Sequence, residues 1–464
     1  MSRRKFSLSV SATALAAVAG ACLVLSACTP GANDNAAPNV APRGTVSTDV
    51  AKLGKVQLHV LDYFTGGVDN TWMKGVVAAF EKKYPNVTIS RQSMSWGDVM
   101  QALPLKMKSS NPPDIVPANN GWQSLGTLVQ GGLVLNLDNY AAAYGWRSQV
   151  PSSILAEHEF STSGKQMGTG SLYGMPVARA SMIEVYYNRA LLQRLGIAVP
   201  SSFDEFATDL GKAKAAGITP ISMGNVEQVG VTQPLYGVMN ALGQQQTISD
   251  LIYSHGNAEL SSGASGFPQA VRVMQDWAKN GYFTPNFAGV ATADAAQAFV
   301  DGKALFRFDY SGSLPLKPGQ SKDFGAFVLP RNDGKPAVAT MSSATNLSVS
   351  AKDDKAHAAA AAAFLNFAAS PAAAQLAVNL GTDPMLAPDV QPSGDNPLFA
   401  DEVHNAATVA GHDSSVPYLD WATPSLLTTI EVQLQDLFAG KTGVSDVVSA
   451  AKADDTKFRQ TLAK

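Results

Sequence analysis

From residue 56 onward, two hydrophobic spacings alternate along the chain. In VQLHVLDYF, Val56, Leu58 and Val60 fall on one face, and this period of two predicts a strand. In NTWMKGVVAAFEKKYP, Trp72, Val76 and Phe80 lie four apart, as do Met73 and Val77. That spacing predicts an amphipathic helix starting near Asn70 or Thr71 and stopping before Pro85. NVTIS predicts a second strand, a helix follows around 98–108, and DIVPA at 114–118 predicts a third strand. Strands alternating with helices imply an α/β lobe built on a largely parallel sheet. Later helices announce their ends. Ser202 and Glu205 stand at capping-box spacing, and Ser370-Pro371 and Thr423-Pro424 each place an N-cap before proline. Gly381 and Gly440 suit C-terminal stops.

The first residues follow a different rule. Arg3, Arg4 and Lys5 precede an uncharged, alanine-rich stretch from about Leu8 to Ala27. A basic start, an apolar middle and small residues before a break form the pattern of an export signal, and the arginine pair resembles a twin-arginine leader. Leu25-Ser26-Ala27-Cys28 resembles the lipobox of bacterial lipoproteins, which implies cleavage after residue 27 and lipidation of Cys28. Each buried methylene of an acyl chain is worth ~0.8 kcal/mol, so two or more chains hold a protein on a bilayer. The alternative reading is an uncleaved N-terminal anchor with an incidental cysteine. Residues 28–53, rich in Pro, Ala, Asn, Gly and Thr, read as a flexible tether.

Composition narrows the function classes. The chain has 464 residues and two cysteines, Cys22 and Cys28. With Cys22 in the leader and Cys28 lipidated, no thiol nucleophile, disulfide or cysteine metal site is expected. The leader holds three of the 34 basic residues and no acid, which leaves 31 basic against 37 acidic groups, a net charge of −6. That balance argues against a nucleic-acid partner. No later apolar run is long enough to span a bilayer, and the alanine tract at 356–363 reads as helical filler beside Phe364 and Phe367. The roughly 410 residues after the tether suit two lobes better than one core.

A run of landmarks carries a resemblance along most of the chain. They are FEKKYPNVTI (80–89), PPDIV (112–116), SLYGMPVA (171–178), YYNRALLQRLGI (186–197), PSSFDEF (200–206) with AAGITPI (215–221), AAQAFVDGKALF (295–306) and FLNFAASPAAAQ (364–375). In order and spacing they resemble the extracellular solute-binding proteins of ABC importers, the group that includes maltose-binding protein. The resemblance implies a two-lobed periplasmic-binding-protein-like α/β fold. Each lobe would have a mostly parallel sheet flanked by helices, with three hinge crossings near 178–182, 324–327 and 346–349. The N-terminal lobe is then expected over 54–179 and 327–347, and the C-terminal lobe over 180–326 and 348–464. It further implies a monomer that catches a small solute, a sugar foremost, between the lobes by hinge closure and delivers it to ABC permease membrane subunits. The protein would be held at the outer face of the bacterial cytoplasmic membrane by its lipid alone, with no cofactor or metal. Where many relatives place Gly-x-Trp after the Gly-Lys strand, this chain reads RFDYSGS, and Tyr310 is the aromatic candidate for that place.

Ligands in such folds sit beyond the carboxyl ends of strands. A sugar offers hydroxyls and an apolar C–H face, so aromatic plates and planar polar side chains are the groups to look for. After the first strand, Tyr63, Phe64 and Thr65 qualify, Phe64 equally as core. After the second comes Trp96, with Asp98 read as a helix N-cap. After the third come Asn119, Asn120 and Trp122. Arg179 at the first crossing either binds ligand or clamps the hinge. In the second lobe the candidates are Asn225, Glu227, Asp309, Tyr310 and Trp421, with Asp420 as a polar partner or part of a cap and Met385 as a lesser contact. Trp72, Trp146 and Trp277 read as packing residues.

The rival classes have little support. G-x-S-x-G, H-E-x-x-H and P-loop motifs are absent, and the six histidines are scattered. The trio Glu157-His158-Glu159 reads as a solvated turn. A glycosidase needs two facing carboxylates, which sequence alone does not test. A binding protein for a polyol phosphate, polyamine or peptide is the alternative within the same fold.

Overall fold

The alternation of strand and helix resolves into two sheets, each with its own helices. The computed structural model describes residues 45–317, 319–343, 345–382, 384 and 396–463. The leader 1–27, Cys28, the tether through residue 44 and Met385 lie outside these residues. The expected end of the tether belongs to the fold: Val50–Lys52 form one 3-10 turn, and Val50 is 2% exposed. Asn86 Nδ2 donates to the carbonyls of Val50 and Gly54, each at 2.8 Å. A spacer through residue 53 is therefore too long, because the Val50 side chain finds the first core.

Strand β1 (Val56–Asp62) buries Val56, Leu58 and Val60 and exposes Gln57 and His59, the alternation expected of a half-buried strand. It pairs in parallel with β2 (Val87–Ser93), Val56 opposite Val87, and with β3 (Ile115–Val116). The intervening helix Gly67–Lys83 buries Trp72, Met73, Val76 and Phe80 on one face. It starts earlier than Asn70, at Gly67, whose φ of 60° a glycine adopts freely as the chain turns out of the strand loop. The helix Trp96–Lys108 is capped by Ser95, whose Oγ accepts from the Asp98 N–H at 3.2 Å. Asp98 is thus the third-residue partner of the cap and not the cap itself.

A short hairpin pairs β4 (Glu159–Phe160) with β5 (Ser171–Leu172). Then come β6 (Met175–Pro176), β7 (Ala180–Asn188), β8 (Thr219–Ile221), β9 (Ala304–Tyr310), β10 (Phe324–Phe327), β11 (Ala339–Ser343), β12 (Asn346–Val349) and β13 (Ser415–Val416). The first sheet has the order β2-β1-β3-β12-β6. The second has the order β13-β11-β7-β9-β8, with β10 also on β7. The second sheet is mixed. The nine-residue β7 pairs antiparallel with β9, β10 and β11, while β8–β9 and β11–β13 are parallel. Strand β7 arrives directly from the first lobe, and antiparallel neighbours need no helical crossover.

Pairing and packing place the lobe boundaries elsewhere than the sequence reading does. The expected crossing at 324–327 is β10, which stays in the second sheet. Ala339–Ser343, expected in the N-terminal lobe, pair with β7 and β13. The chain recrosses between Ser343 and Asn346, since β12 pairs with β3 and β6. Helix Lys355–Ala368, expected in the C-terminal lobe, packs on β1, and helix Pro371–Asn379 packs on Gly67–Lys83. The alanine tract explains this. Ala358 to Ala363 are all buried, so the backbone lies close to the first sheet, and Phe364 and Phe367 meet Phe80 at 5.2 and 5.7 Å between ring centroids. Helix Pro397–Gly411 packs on β10 of the second lobe.

Among the described residues no single helix is long and apolar enough to cross a membrane. The pair Lys355–Ala368 and Pro371–Asn379 has such a composition but is bent by 50°, and most of its apolar side chains lie in the first core. Trp72 and Trp146 fill that core, and Trp277 packs against Phe203 and Phe206 in the second.

Candidate functional site

Between the lobes lies a cavity of about 780 Å³. Its first wall hangs from loops that follow β1, β2 and β3. Buried Asp62, the last residue of β1, organises the first loop: it accepts from the Phe64 N–H at 3.1 Å, Ser93 Oγ at 2.6 Å and Arg91 Nε at 2.6 Å. Arg91 Nη2 in turn donates to the Phe64 carbonyl at 3.3 Å. Tyr63 and Phe64 are thereby fixed edge-to-face, centroids 4.8 Å apart, and Trp96 meets Tyr63 at 4.8 Å and 84°. Trp96 is 38% exposed and stands at the rim. Asn119, Asn120 and Gln123 complete this wall with the first turn of helix Gly67–Lys83.

The second wall comes from β9, β13 and two helices. Tyr310 to Leu316 line it after β9, while Thr232, Gln233 and Tyr236 share one face of helix Thr232–Leu242. Tyr418, Asp420 and Trp421 line it after β13. Tyr418 meets Trp421 at 5.1 Å, Tyr310 at 6.2 Å and Tyr236 at 6.5 Å, so these rings form one continuous patch. The Tyr236 hydroxyl donates to Asp420 Oδ1 at 2.9 Å. Buried Glu402 supports the loop after β9: its Oε1 accepts from the Gly312 N–H at 3.0 Å and the Tyr186 hydroxyl at 2.6 Å.

The floor is the hinge itself. Arg179, Ser181, Ser342, Ser343, Thr345 and Asn346 line it. Arg179 Nε donates to Thr382 Oγ1 at 2.9 Å, and Nη1 faces Asp69 Oδ1 at 2.8 Å. Its guanidinium thus clamps the crossing while one side faces the cavity, so both open readings of this residue have a structural counterpart.

Burial sets the protonation of the walls. The hydroxyls of Tyr63, Tyr236, Tyr310 and Tyr418 are pushed well above the usual tyrosine range by desolvation, so they remain neutral donors and acceptors. Desolvation also pushes the Asp420 carboxyl up to about 6, the Tyr236 hydroxyl partly opposing it. Glu431 behind it rises to about 7, through burial first and the Asp420 charge second. Such a surface offers aromatic faces, hydroxyls and amides, with Arg179, Asp69 and Asp420 as its charged members. Among the described residues no group of three His, Cys, Asp or Glu side chains could hold a metal ion.

Of the residues singled out from sequence, Tyr63, Phe64, Trp96, Asn119, Asn120, Arg179, Tyr310, Asp420 and Trp421 meet at this cavity. Five of the described ones do not. Thr65 is exposed outside the lining. Trp122 is buried against Phe160 at 5.2 Å and Phe458 at 5.0 Å, its indole turned away from the cavity that its neighbour Asn120 lines. Asn225 is buried beside the loop of Phe287, whose carbonyl accepts its N–H at 2.9 Å. Glu227 caps a helix, accepting from Thr292 N–H at 3.0 Å and Thr292 Oγ1 at 2.9 Å. Asp309 is consumed by Arg307, whose Nε donates to it at 2.7 Å. Tyr236, Gln233, Tyr418 and the hinge residues Ser342, Thr345 and Asn346 also line the cavity, and the sequence does not single them out. Tyr418 sits within the segment that gave Trp421. The helix face of Thr232, Gln233 and Tyr236 carried no signal distinguishing it from an ordinary buried face.

Two lobes joined at a hinge, with a ligand-sized cavity between them, define the class of two-lobed solute receptors. Residues 65–375 match the family described as bacterial extracellular solute-binding protein, and the chain belongs to that family. Membership carries export from the cytoplasm, since the family is extracellular. A Brucella abortus protein named as a putative binding protein is 24% identical over 255 residues; the match spans 54% of this chain and 57% of that relative's length. The multiple sugar-binding protein of Streptococcus mutans is 23% identical over 335 residues, covering 70% of this chain and 74% of its own. Among solved structures, a chitin oligosaccharide binding protein superposes with a TM-score of 0.74 at 19% identity, covering 88% of this chain and 99% of its own.

Proposed function

We propose that this protein captures a carbohydrate, an oligosaccharide in preference to a single ring, in the cavity between its lobes. In this reading it delivers the sugar to the membrane subunits of an ABC importer, as a monomer held to the outer face of the membrane through lipidated Cys28. The observation that carries the proposal is the cavity. Its volume of about 780 Å³ falls in the upper part of the ~300–1,000 Å³ range of small-molecule sites, with aromatic rings on both walls and a polar hinge floor. Aromatic plates suit the C–H faces of pyranose rings, and amide and hydroxyl groups suit their hydroxyls. The named relative and the named structure that bind sugars agree with this choice.

The test is a thermal-shift panel on the protein lacking residues 1–44, with maltotriose, chitotriose, xylotriose and raffinose set against spermidine, a tripeptide and glycerol 3-phosphate. A ligand that binds the folded state alone raises its melting temperature. A shift with a sugar supports the reading; shifts confined to the non-sugar compounds replace it with the alternative solute class. Labelling of the full chain with radioactive palmitate, lost in Cys28→Ala, tests the anchor.

A further inference from the structure

The trio Glu157-His158-Glu159 is not a solvated turn: Glu157 and His158 are both buried. Glu157 Oε2 accepts from Ser342 Oγ at 2.6 Å and from Asn120 Nδ2 at 3.2 Å. Asn120 Oδ1 accepts from Asn346 Nδ2. Ser342 and Asn346 line the cavity floor and Asn120 the adjoining first wall, whereas Glu157 lies behind them. They also come from different parts of the fold. Asn120 follows β3 of the first sheet, Ser342 is in β11 of the second, and Asn346 opens β12 after the chain recrosses. Glu157 therefore joins the two lobes at the hinge by one carboxyl oxygen.

We infer that Glu157 is a positioning residue of the ligand site: it holds Asn120 and Ser342 in one hydrogen-bond arrangement and so decides which donors and acceptors the floor presents to a sugar hydroxyl. The inference rests on the carbohydrate reading above. Ser342 donates inward to Glu157 and accepts from Asn120 Nδ2 at 3.5 Å, which leaves its remaining lone pair for the cavity as an acceptor. With one Asn120 N–H directed to Glu157 and its carbonyl to Asn346, the side-chain amide is locked against a flip.

The acid works from a position without a cation. No ion pair of Glu157 is present among the described residues. The titratable groups around it are His158, Tyr253, Tyr418 and, through Tyr253, Glu159, which is itself paired with Arg147. Burial pushes Glu157 up to about 8 and His158 down to about 3, so near neutrality both are uncharged. The neutral carboxyl keeps its acceptor oxygen toward Asn120 and Ser342. Glutamine reproduces that oxygen, and alanine does not.

Two measurements test this. In the ligand-free protein, the side-chain amide NMR signals of Asn120 and Asn346 are expected to move with pH around a midpoint near 8, and to stay still in Glu157→Gln. Calorimetry is then run with maltotriose, chitotriose, xylotriose and raffinose as probes. Glu157→Ala is expected to weaken the bound sugar about tenfold or more, the cost of one unpaired buried donor, with Glu157→Gln within about threefold of wild type. Amide signals indifferent to pH, or equal affinities in all three proteins, overturn the inference. If none of the four sugars binds wild type, the carbohydrate reading fails while the NMR result still decides the role of Glu157.

Discussion

The backbone N–H of Trp122 donates to the carbonyl of Trp421 at 2.9 Å, a hydrogen bond from the first lobe to the second. Gly121 makes it attainable. Its φ is 76°, and a Cβ there would stand 2.3 Å from the Trp421 Cβ and 2.7 Å from its Cα. Gly121→Ala is expected to cost about 1–3 kcal/mol in this apposed form and to push the lobes apart. A larger radius of gyration by small-angle scattering and weaker ligand binding check it; a variant unchanged in both would show that the contact does not hold the lobes.

Trp96 packs edge-on against Tyr63 and is half open to solvent at the cavity rim. Trp96→Ala is expected to weaken a bound sugar by roughly tenfold or more, about 1.4 kcal/mol, while the melting temperature changes little. Calorimetry beside a thermal melt separates the two, and an equal loss in both would make Trp96 a packing residue.

Trp122 and Glu227 should behave in the opposite way. Trp122→Ala opens a hole beside Phe160 and Phe458 and is expected to cost about 3–5 kcal/mol of stability. Glu227→Ala removes the acceptor at the start of helix Thr292–Val300 and is expected to cost about 0.5–2 kcal/mol. Neither substitution takes a group from the cavity, so affinity measured well below the melting temperature should stay at the wild-type value. A selective loss of affinity in Glu227→Ala would return that residue to the site.

Several buried carboxyls are pushed up together, chiefly by desolvation: Asp420 to about 6, Glu402 and Glu431 to about 7, Glu157 to about 8 and Asp353 to about 9. Each binds its proton more tightly folded than unfolded. Their contribution is therefore complete below the ordinary carboxylate range and is lost as pH rises through the folded values. The melting temperature of the ligand-free protein is expected to fall between pH 6 and pH 9, and to fall less in a Glu157→Gln, Glu431→Gln double variant. A melting temperature that is flat or rising over that range would contradict the assignment.

Features set by near neighbours in sequence were readable from it. The strand of Val56, Leu58 and Val60, the helix face of Trp72, Val76 and Phe80, and the Ser202 and Ser370 caps depend on local spacing. The lobe boundaries depend on partners far away. Nothing within Ala339–Ser343 says that it pairs with Ala180–Met182, and nothing in an alanine tract says which sheet it covers. The site divides in the same way. Loop positions after strands led to Phe64, Trp96, Asn120, Tyr310 and Trp421, but loop position does not give side-chain direction, and Trp122 turns inward. The pairing of Asp309 is local, since Arg307 stands two residues earlier on the same strand face.

The placement of the indoles gives this molecule an optical property. Five of its six tryptophans are at most 4% exposed, and Trp96 at the cavity rim is 38% exposed. An aqueous quencher such as iodide therefore reaches Trp96 far more readily than the others. Whatever settles over that ring shields it, so the fluorescence of the unlabelled protein records occupancy of the cleft.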